Sequence, residues 1–145
     1  MLLPMTRSNV LEFMRSHTLA VQASVSSLDA PQAAVVGFIV TDDFEVLFDC
    51  LSTTRKVVNL RQNSKCAVVI GGTMNGDERT VQYEGIADEP AGSELESLKE
   101  LYFLRFPDGR DRQHWPGLTY IRVRPRWLRY SDYNQSPPEI VEFTF

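Results

Sequence analysis

The chain has 145 residues, 43% of them hydrophobic, and a formal net charge of −4 from 15 Lys and Arg against 19 Asp and Glu. Such a chain can bury most of its apolar surface in one domain, which excludes disorder, and the absence of any long Lys/Arg block excludes nucleic-acid or anionic-membrane surfaces, leaving only small, locally held anions. The longest apolar run, residues 33–40, is less than half of a bilayer span, and residues 1–5 lack the regions of a signal peptide, so a cytoplasmic protein is expected.

Ser8 is a candidate N-cap for a first helix that carries Val10, Phe13, Met14 and His17 on one face, with His17 at the C-terminal end where an imidazolium favours the helix dipole. Residues 18–27 alternate as a strand, "LDAPQ" turns, and residues 33–40 read as a second strand. "TDDFE" turns again into the strand 46–51, and no third ligand follows at calcium-loop spacing, so it is no metal site. A helix over residues 54–62 and a strand over 66–72 come next. Asn75-Gly76 supplies a turn, and residues 78–89 return as a strand. Ser93 and Glu96 have capping-box spacing for a second long helix with a stripe of Leu95, Leu98, Leu101 and Tyr102, stopped by "FPDG". His114 lies in a loop beside Trp115 and Pro116, as a solvated residue or one overhanging a ligand. Residues 118–133 alternate strictly except at Pro125, which predicts an edge or a bulge, and the arginines of "RVRPRWLR" read as its solvent-facing side. Cys50 and Cys66 show no metal-ligand spacing and read as reduced, buried thiols. About six antiparallel strands with two or three interposed helices predict a single domain over residues 1–145, a mainly antiparallel β-barrel with helical covers.

The stretch "STTRK", residues 52–56, stands where a helix begins. If Thr53 or Thr54 is the N-cap, the first-turn amides point outward without partners and the dipole adds positive potential. Arg55 and Lys56 oppose that dipole, and a phosphate would satisfy hydroxyls, amides and both cations together. An ordinary cap followed by solvated cations is the competing reading.

A strand ending in a Phe, a short polar turn, then "TRK" opening a helix of the type "VVNLRQNSKCAVVI" resembles the FMN-binding split-barrel family typified by pyridoxamine 5'-phosphate oxidase. "LEFMRSHTLAVQAS", "APQAAVVGFIVTDDFEVLF" and "TVQYEGIADE" match further elements in order, over about residues 6–130. The resemblance implies a six-stranded split barrel and a homodimer with FMN between subunits. It places Ala34, Val35, Val36, Gly37, Phe38 and Ile39 along the flavin ring and ribityl chain, and Cys50, Leu51, Thr54, Arg55 and Lys56 at the phosphate. It also puts Thr80 and Gln82 near the flavin, with Trp127 and Arg129 reaching the cofactor across the interface or, alternatively, a core-packing Trp beside a surface Arg. Ala34 and Ile39 stand where the oxidase carries a phosphate-binding Arg and a substrate-contacting Lys, Thr80 replaces a Gln, and "LKELYFLRFPDG" lacks the substrate-phosphate residues. FMN is therefore expected to be kept and pyridoxamine phosphate oxidation lost.

The leading expectation is an FMN-dependent oxidoreductase whose substrate stacks near Ile39, with NAD(P)H or a small reducible compound as partner and no assignable acid or base. Two others stay open: a non-catalytic flavin- or haem-binding carrier, sensor or stress protein with His17 or His114 as axial ligand, and a deazaflavin-dependent reductase using Arg61 and Lys65.

Overall fold

In a computed structural model, residues 4–145 are described; residues 1–3, part of the stretch read for a signal peptide, lie outside them. Helix α1 (Arg7–Arg15) is capped by Thr6 and not by Ser8. The Thr6 hydroxyl oxygen accepts from the Asn9 amide at 3.1 Å, and the Asn9 carboxamide oxygen accepts from the Thr6 amide at 3.2 Å, a capping box with Asn in place of Glu. Val10, Phe13 and Met14 are buried beneath it. His17 follows the C-cap, its Nδ1 3.0 Å from the Phe13 carbonyl oxygen, so it does close the helix end.

The strands are β1 (Leu19–Val25), β2 (Pro31–Gly37), β3 (Ile39–Val40), β4 (Val46–Leu51), β5 (Lys65–Gly71), β6 (Arg79–Asp88), β7 (Leu118–Asp132) and β8 (Glu139–Thr144); helices α2 (Arg55–Gln62), α3 (Gly92–Arg105) and α4 (Gly109–Arg112) complete the chain. All strands join one antiparallel sheet in the order β2-β1-β5-β6-β7-β4-β3, with β8 paired to β7. The sheet curls into a split barrel. Eight strands replace the expected six for two reasons. The apolar run 33–40 breaks at Phe38, which is 1% exposed and donates its amide to the Thr18 carbonyl at 3.1 Å, dividing β2 from β3. The C-terminal β8 then takes the second half of β7.

β7 organises the barrel. One edge pairs with β6, while the other passes from β4, along Leu118–Val123, to β8, along residues 127–132. Pro125 sits at that change of partner, and the β6 ladder shifts register at Glu84/Gly85, so the bulge reading holds. Gly85 is required there, because a Cβ would collide with the Arg124 carbonyl oxygen.

Helix α3 starts at Gly92 (φ 64) with Ala91 as N-cap, so the Ser93–Glu96 box does not form and Ser93 lies inside the first turn. Its Leu98, Tyr102 and Phe103 bury against Ile39, Leu47 and Tyr120, whereas Leu101 of the expected stripe faces outward. Arg122 corrects the reading of "RVRPRWLR" as solvent-facing. It is 3% exposed, bonded through Nη2 to Asp88 at 2.8 Å and through Nη1 to Glu94, which fastens α3 to β6 and β7. The main core packs α1 and α2 onto the sheet through Phe13, Met14, Phe48, Val57, Leu60 and Tyr83. Among the described residues no helix is long and apolar enough to cross a membrane.

Candidate functional site

Alternation along β1 sends Ala20, Gln22 and Ser24 inward and Leu19, Val21, Ala23 and Val25 outward, so the bulkier apolar face points away from the core. The inward polar residues are tolerated because α2 supplies partners: buried Asn59 donates through Nδ2 to Ser24 Oγ at 3.1 Å and to Gln32 Oε1 at 2.8 Å. Gln22 is the exception. It is 1% exposed, and among the described residues its buried Oε1 has no hydrogen-bond partner.

Thr54 is the N-cap of α2, but its hydroxyl donates back to the Leu51 carbonyl at 2.8 Å and makes no capping bond to the first-turn amides. Those amides and the side chains of Arg55 and Lys56 border a cavity of about 280 Å³ between α2 and the β1–β2 hairpin. Gln22 forms its floor, Gln32, Ala33 and Ala34 its β2 wall, and Thr54, Arg55 and Lys56 its rim. Several cations elsewhere are matched, Arg61 with Glu89, Arg79 with Asp77, Arg112 with Asp49, Arg122 with Asp88 and Arg129 with Glu142, whereas Arg7 and Arg105 bond only backbone carbonyls. Among the described residues, Arg55 and Lys56 have no carboxylate partner. The cavity is therefore rich in donors and positive charge, with the dipole of an eight-residue helix aligned into it.

Of the expected site residues, Ala34, Thr54, Arg55 and Lys56 meet here. Gln22, Gln32 and Ala33 were missed. Cys50 is buried beneath the rim, its thiol pushed up to about 11 by burial and drawn back partly by the Lys56 charge; burial likewise pushes Cys66 up to about 12. Both are free thiols, as expected. Leu51, exposed, and Val36 and Gly37, farther along β2, do not line the cavity. Phe38 and Ile39 are buried, and Ile39 packs under α3, where it lines a separate hollow with Arg15, Leu101 and Leu104 rather than the cation-rimmed cavity.

The remaining expected residues occupy the outer face. Side chains of Val35, Val21, Val69, Gln82, Arg129 and Glu142 form one cross-strand row from β2 to β8, with Glu84 and Trp127 on the next row and Thr80 and Ser131 on the other side. Ala34 belongs to the inner row with Gln22, Val68, Tyr83 and Leu128. Adjacent residues Ala34 and Val35 thus face opposite sides, and within one chain Thr80, Gln82, Trp127 and Arg129 do not reach the cavity. Arg129 is held by Glu142, which also accepts from Trp127 Nε1 at 3.4 Å, and its guanidinium lies 5.6 Å from the Trp127 ring centroid.

A second hollow, about 570 Å³, opens on that outer face between His17, Leu19, Val35, Val69 and Met74. With Nδ1 held at the Phe13 carbonyl, the His17 Nε2 side faces Gly71, where a Cβ would stand 3.5 Å away. His114 is exposed in its loop, and Arg61 is committed to Glu89 by bonds of 2.9 and 2.8 Å.

A curled antiparallel barrel whose edge strand and helix mouth border a cation-rimmed cavity defines the class: a split-barrel domain. A model of the pyridoxamine 5'-phosphate oxidase family matches residues 6–132, and the chain belongs to that family. Among solved structures, it resembles a heme-binding protein from Mycobacterium smegmatis with TM-score 0.79 at 15% identity, covering 97% of this chain and 60% of that one. A protein of unknown function from Agrobacterium tumefaciens gives 0.76 at 17%, covering 87% and 56%. A pyridoxamine 5'-phosphate oxidase-related, FMN-binding protein from Nostoc punctiforme gives 0.67 at 10%, covering 95% and 93%. The chain spans less than two thirds of the first two neighbours' lengths. No curated protein matches it.

Proposed function

We propose that the chain binds FMN and works as a homodimeric FMN-dependent oxidoreductase acting on a small molecule other than pyridoxamine 5'-phosphate. The observation that carries this reading is the unpaired couple Arg55 and Lys56 at the uncapped mouth of α2. A phosphate dianion answers both cations and the first-turn amides, with Arg55 as a fork and Lys56 as a point charge. The residues fit the group, since the lining pairs two cations and the uncapped first turn of α2 with no carboxylate.

At about 280 Å³ the cavity lies just under the range of roughly 300–1,000 Å³ for whole organic ligands, and suits a phosphate with its polyol chain. The ring then lies along the exposed edge strand β2, whose free backbone groups can meet its polar rim. A ring so placed needs a cover. The outward row Val35, Val21 and Val69 supports a second copy as that cover, bringing the Gln82, Trp127 and Arg129 face toward the cofactor. When bound, FMN supplies the hydride and electron transfer, which accounts for the absence of an assignable acid or base. The chain's own residues fix the phosphate, orient the ring and exclude water. Ala34 and Ile39, in place of the oxidase's basic anchors, argue against pyridoxamine 5'-phosphate as the substrate; NAD(P)H or a small reducible compound is the partner.

Titrating apoprotein with FMN and with riboflavin tests the phosphate placement. Two charge-assisted contacts at about 1.5 kcal/mol each predict FMN binding roughly a hundredfold tighter, and equal affinities refute it. Oxidation of NADH or NADPH by the loaded protein, above the rate with free FMN, separates enzyme from carrier.

His17 favours a second reading, a haem-binding module. Its oriented imidazole lines a hollow of about 570 Å³ whose wall is partly apolar, through Leu19, Val21, Val35, Val69 and Met74, and the Mycobacterium smegmatis neighbour is a heme-binding protein. A Soret shift on hemin titration that disappears in His17→Ala supports that reading, and an unchanged free-hemin spectrum excludes it.

A further inference from the structure

Helix α3 is apolar on two faces. Leu98, Tyr102 and Phe103 are buried against the sheet, yet Leu101 and Leu104, three residues apart and so on one side of the helix, are 48% and 80% exposed. A helix lying on a sheet needs only one apolar stripe, so the second is left for something outside the fold. These two leucines line a hollow of about 420 Å³ together with the more deeply buried Ile39 and Val40 of β3, and with Arg15 and Arg105, the last residues of α1 and α3. The hollow shares no lining residue with the cavity at the mouth of α2. Among the described residues no carboxylate lines it. Arg15 donates to the Val40 carbonyl and to Asp42, whereas Arg105 donates through Nη2 to the Arg15 carbonyl at 2.7 Å and has no carboxylate partner among the described residues. Four aliphatic side chains beside a cation without a counter-ion suit a ligand that is apolar over most of its length and anionic at one end.

We propose that this hollow is a second binding site, for a monocarboxylate with an apolar tail of the size of a medium-chain fatty acid, whose carboxylate meets Arg105 while its tail covers Leu101, Leu104, Ile39 and Val40. A guanidinium carries several donors, so the one bond to the Arg15 carbonyl leaves Arg105 able to receive a carboxylate. At about 420 Å³ the hollow lies within the roughly 300–1,000 Å³ of small-ligand sites. Its few aliphatic residues fall far short of the roughly 20–30 a side of a stable protein interface, which favours a small occupant over a second chain. The site stands independently of the flavin reading, since neither its residues nor its ligand chemistry are those of the α2 mouth.

Calorimetric titration of the wild type, Leu104→Gln and Arg105→Gln with hexanoate, octanoate, decanoate and octylamine tests the proposal. The carboxylates should bind with an affinity that rises by up to about fourfold per added methylene, and octylamine should not bind. Arg105→Gln should weaken all three carboxylates roughly tenfold, and Leu104→Gln should weaken decanoate by a similar factor. Because Leu104 is mostly exposed, its variant should keep the wild-type melting temperature, which preserves the test if Arg105→Gln does not fold. FMN titration of Leu104→Gln should match the wild type, and a loss of FMN affinity would overturn the independence of the two sites. No carboxylate binding, an affinity indifferent to tail length, or equal binding of octylamine overturns the proposal. Wild-type binding to phosphatidylglycerol vesicles without binding of the free acids overturns it in favour of a lipid surface, and self-association abolished by Leu104→Gln overturns it in favour of a second copy of the chain.

Discussion

Replacing Arg55 and Lys56 by alanine, singly and together, separates binding from folding. Among the described residues neither side chain forms an ion pair, so truncation strands no buried carboxylate there. Both sit in the first turn of α2, where a cation opposes the helix dipole at a cost of about 0.3 kcal/mol each. The ligand-free double variant should therefore be as stable as the wild type or more stable by up to about 0.6 kcal/mol. Binding should move the other way. A charge-assisted hydrogen bond contributes about 1.5–3 kcal/mol, so each single variant should lose roughly tenfold or more in FMN affinity, and the double variant at least about a hundredfold. Quenching of flavin fluorescence gives the affinities, and urea unfolding of the same samples without flavin gives the stabilities. Raising ionic strength should weaken the wild type and leave the double variant nearly unaffected. A double variant that binds FMN within about threefold of wild type would refute the electrostatic reasoning, as would a loss of affinity that simply tracks a loss of stability.

Asp49 accepts from Tyr102 Oη and from Arg112 Nε, each at 2.9 Å, in a largely buried cluster; Asp49→Ala should cost about 2 kcal/mol in urea unfolding, below the roughly 3–5 of a fully buried pair because Asp108 still faces Arg112 at 2.5 Å. Hydrogen bonds from Arg79 hold the Asp77 carboxyl at about 2, below its usual 3.8, so its stabilising effect is full above pH 3.8 and fades as pH falls toward 2. The stability gap between wild type and Asp77→Asn should close over that window, and a constant gap would contradict the pairing. Cys50 and Cys66 should resist a thiol reagent at pH 8 and react fully only in denaturant; rapid labelling of the native protein would show that one is accessible. Gly85→Ala should abolish the folded state or lower its melting temperature steeply, because the new methyl meets the Arg124 carbonyl oxygen at the bulge; a normal melt would argue against the register shift at Glu84/Gly85.

Most elements were legible because their periods were clean: β1, β4, β5, β6 and β7 all appear near the expected positions, and Pro125 marks a bulge as its chemistry requires. Helix starts were less legible. Ser8 and Ser93 have the right residue type, yet Thr6 with Asn9 caps α1, and α3 begins at Gly92 after an extended Ala91, since tertiary contacts decide which of several polar residues ends up half in the helix. The strand β8 was missed although "EIVEFT" alternates, because the proline-rich stretch before it masks a partner supplied only by the far half of β7. The mouth of α2 was found from "TTRK" alone, as misplaced cations leave a local mark. Gln22 left none. In "LAVQASV" a reader sends the apolar set inward, and only the position of α2 shows that Gln22 and Ser24 are the buried ones. Likewise, alternation puts Ala34 and Val35 of β2 on opposite faces, but the nearly uniform apolar run does not say which of the two faces inward.

The two partners of β7 along one edge have a consequence for the order in which this protein can be made. β4 ends at Leu51, yet apart from the short β3 its ladder is with Leu118–Val123, synthesised roughly seventy residues later. The cavity, by contrast, draws only on Gln22 to Lys56. On the ribosome, its strands and helix emerge long before the segment that closes the barrel around them. Until that segment arrives, one flank of Val46–Leu51 waits unpaired, so slow elongation or truncation before Leu118 would leave an open apolar sheet margin, the state most prone to sticking to its neighbours.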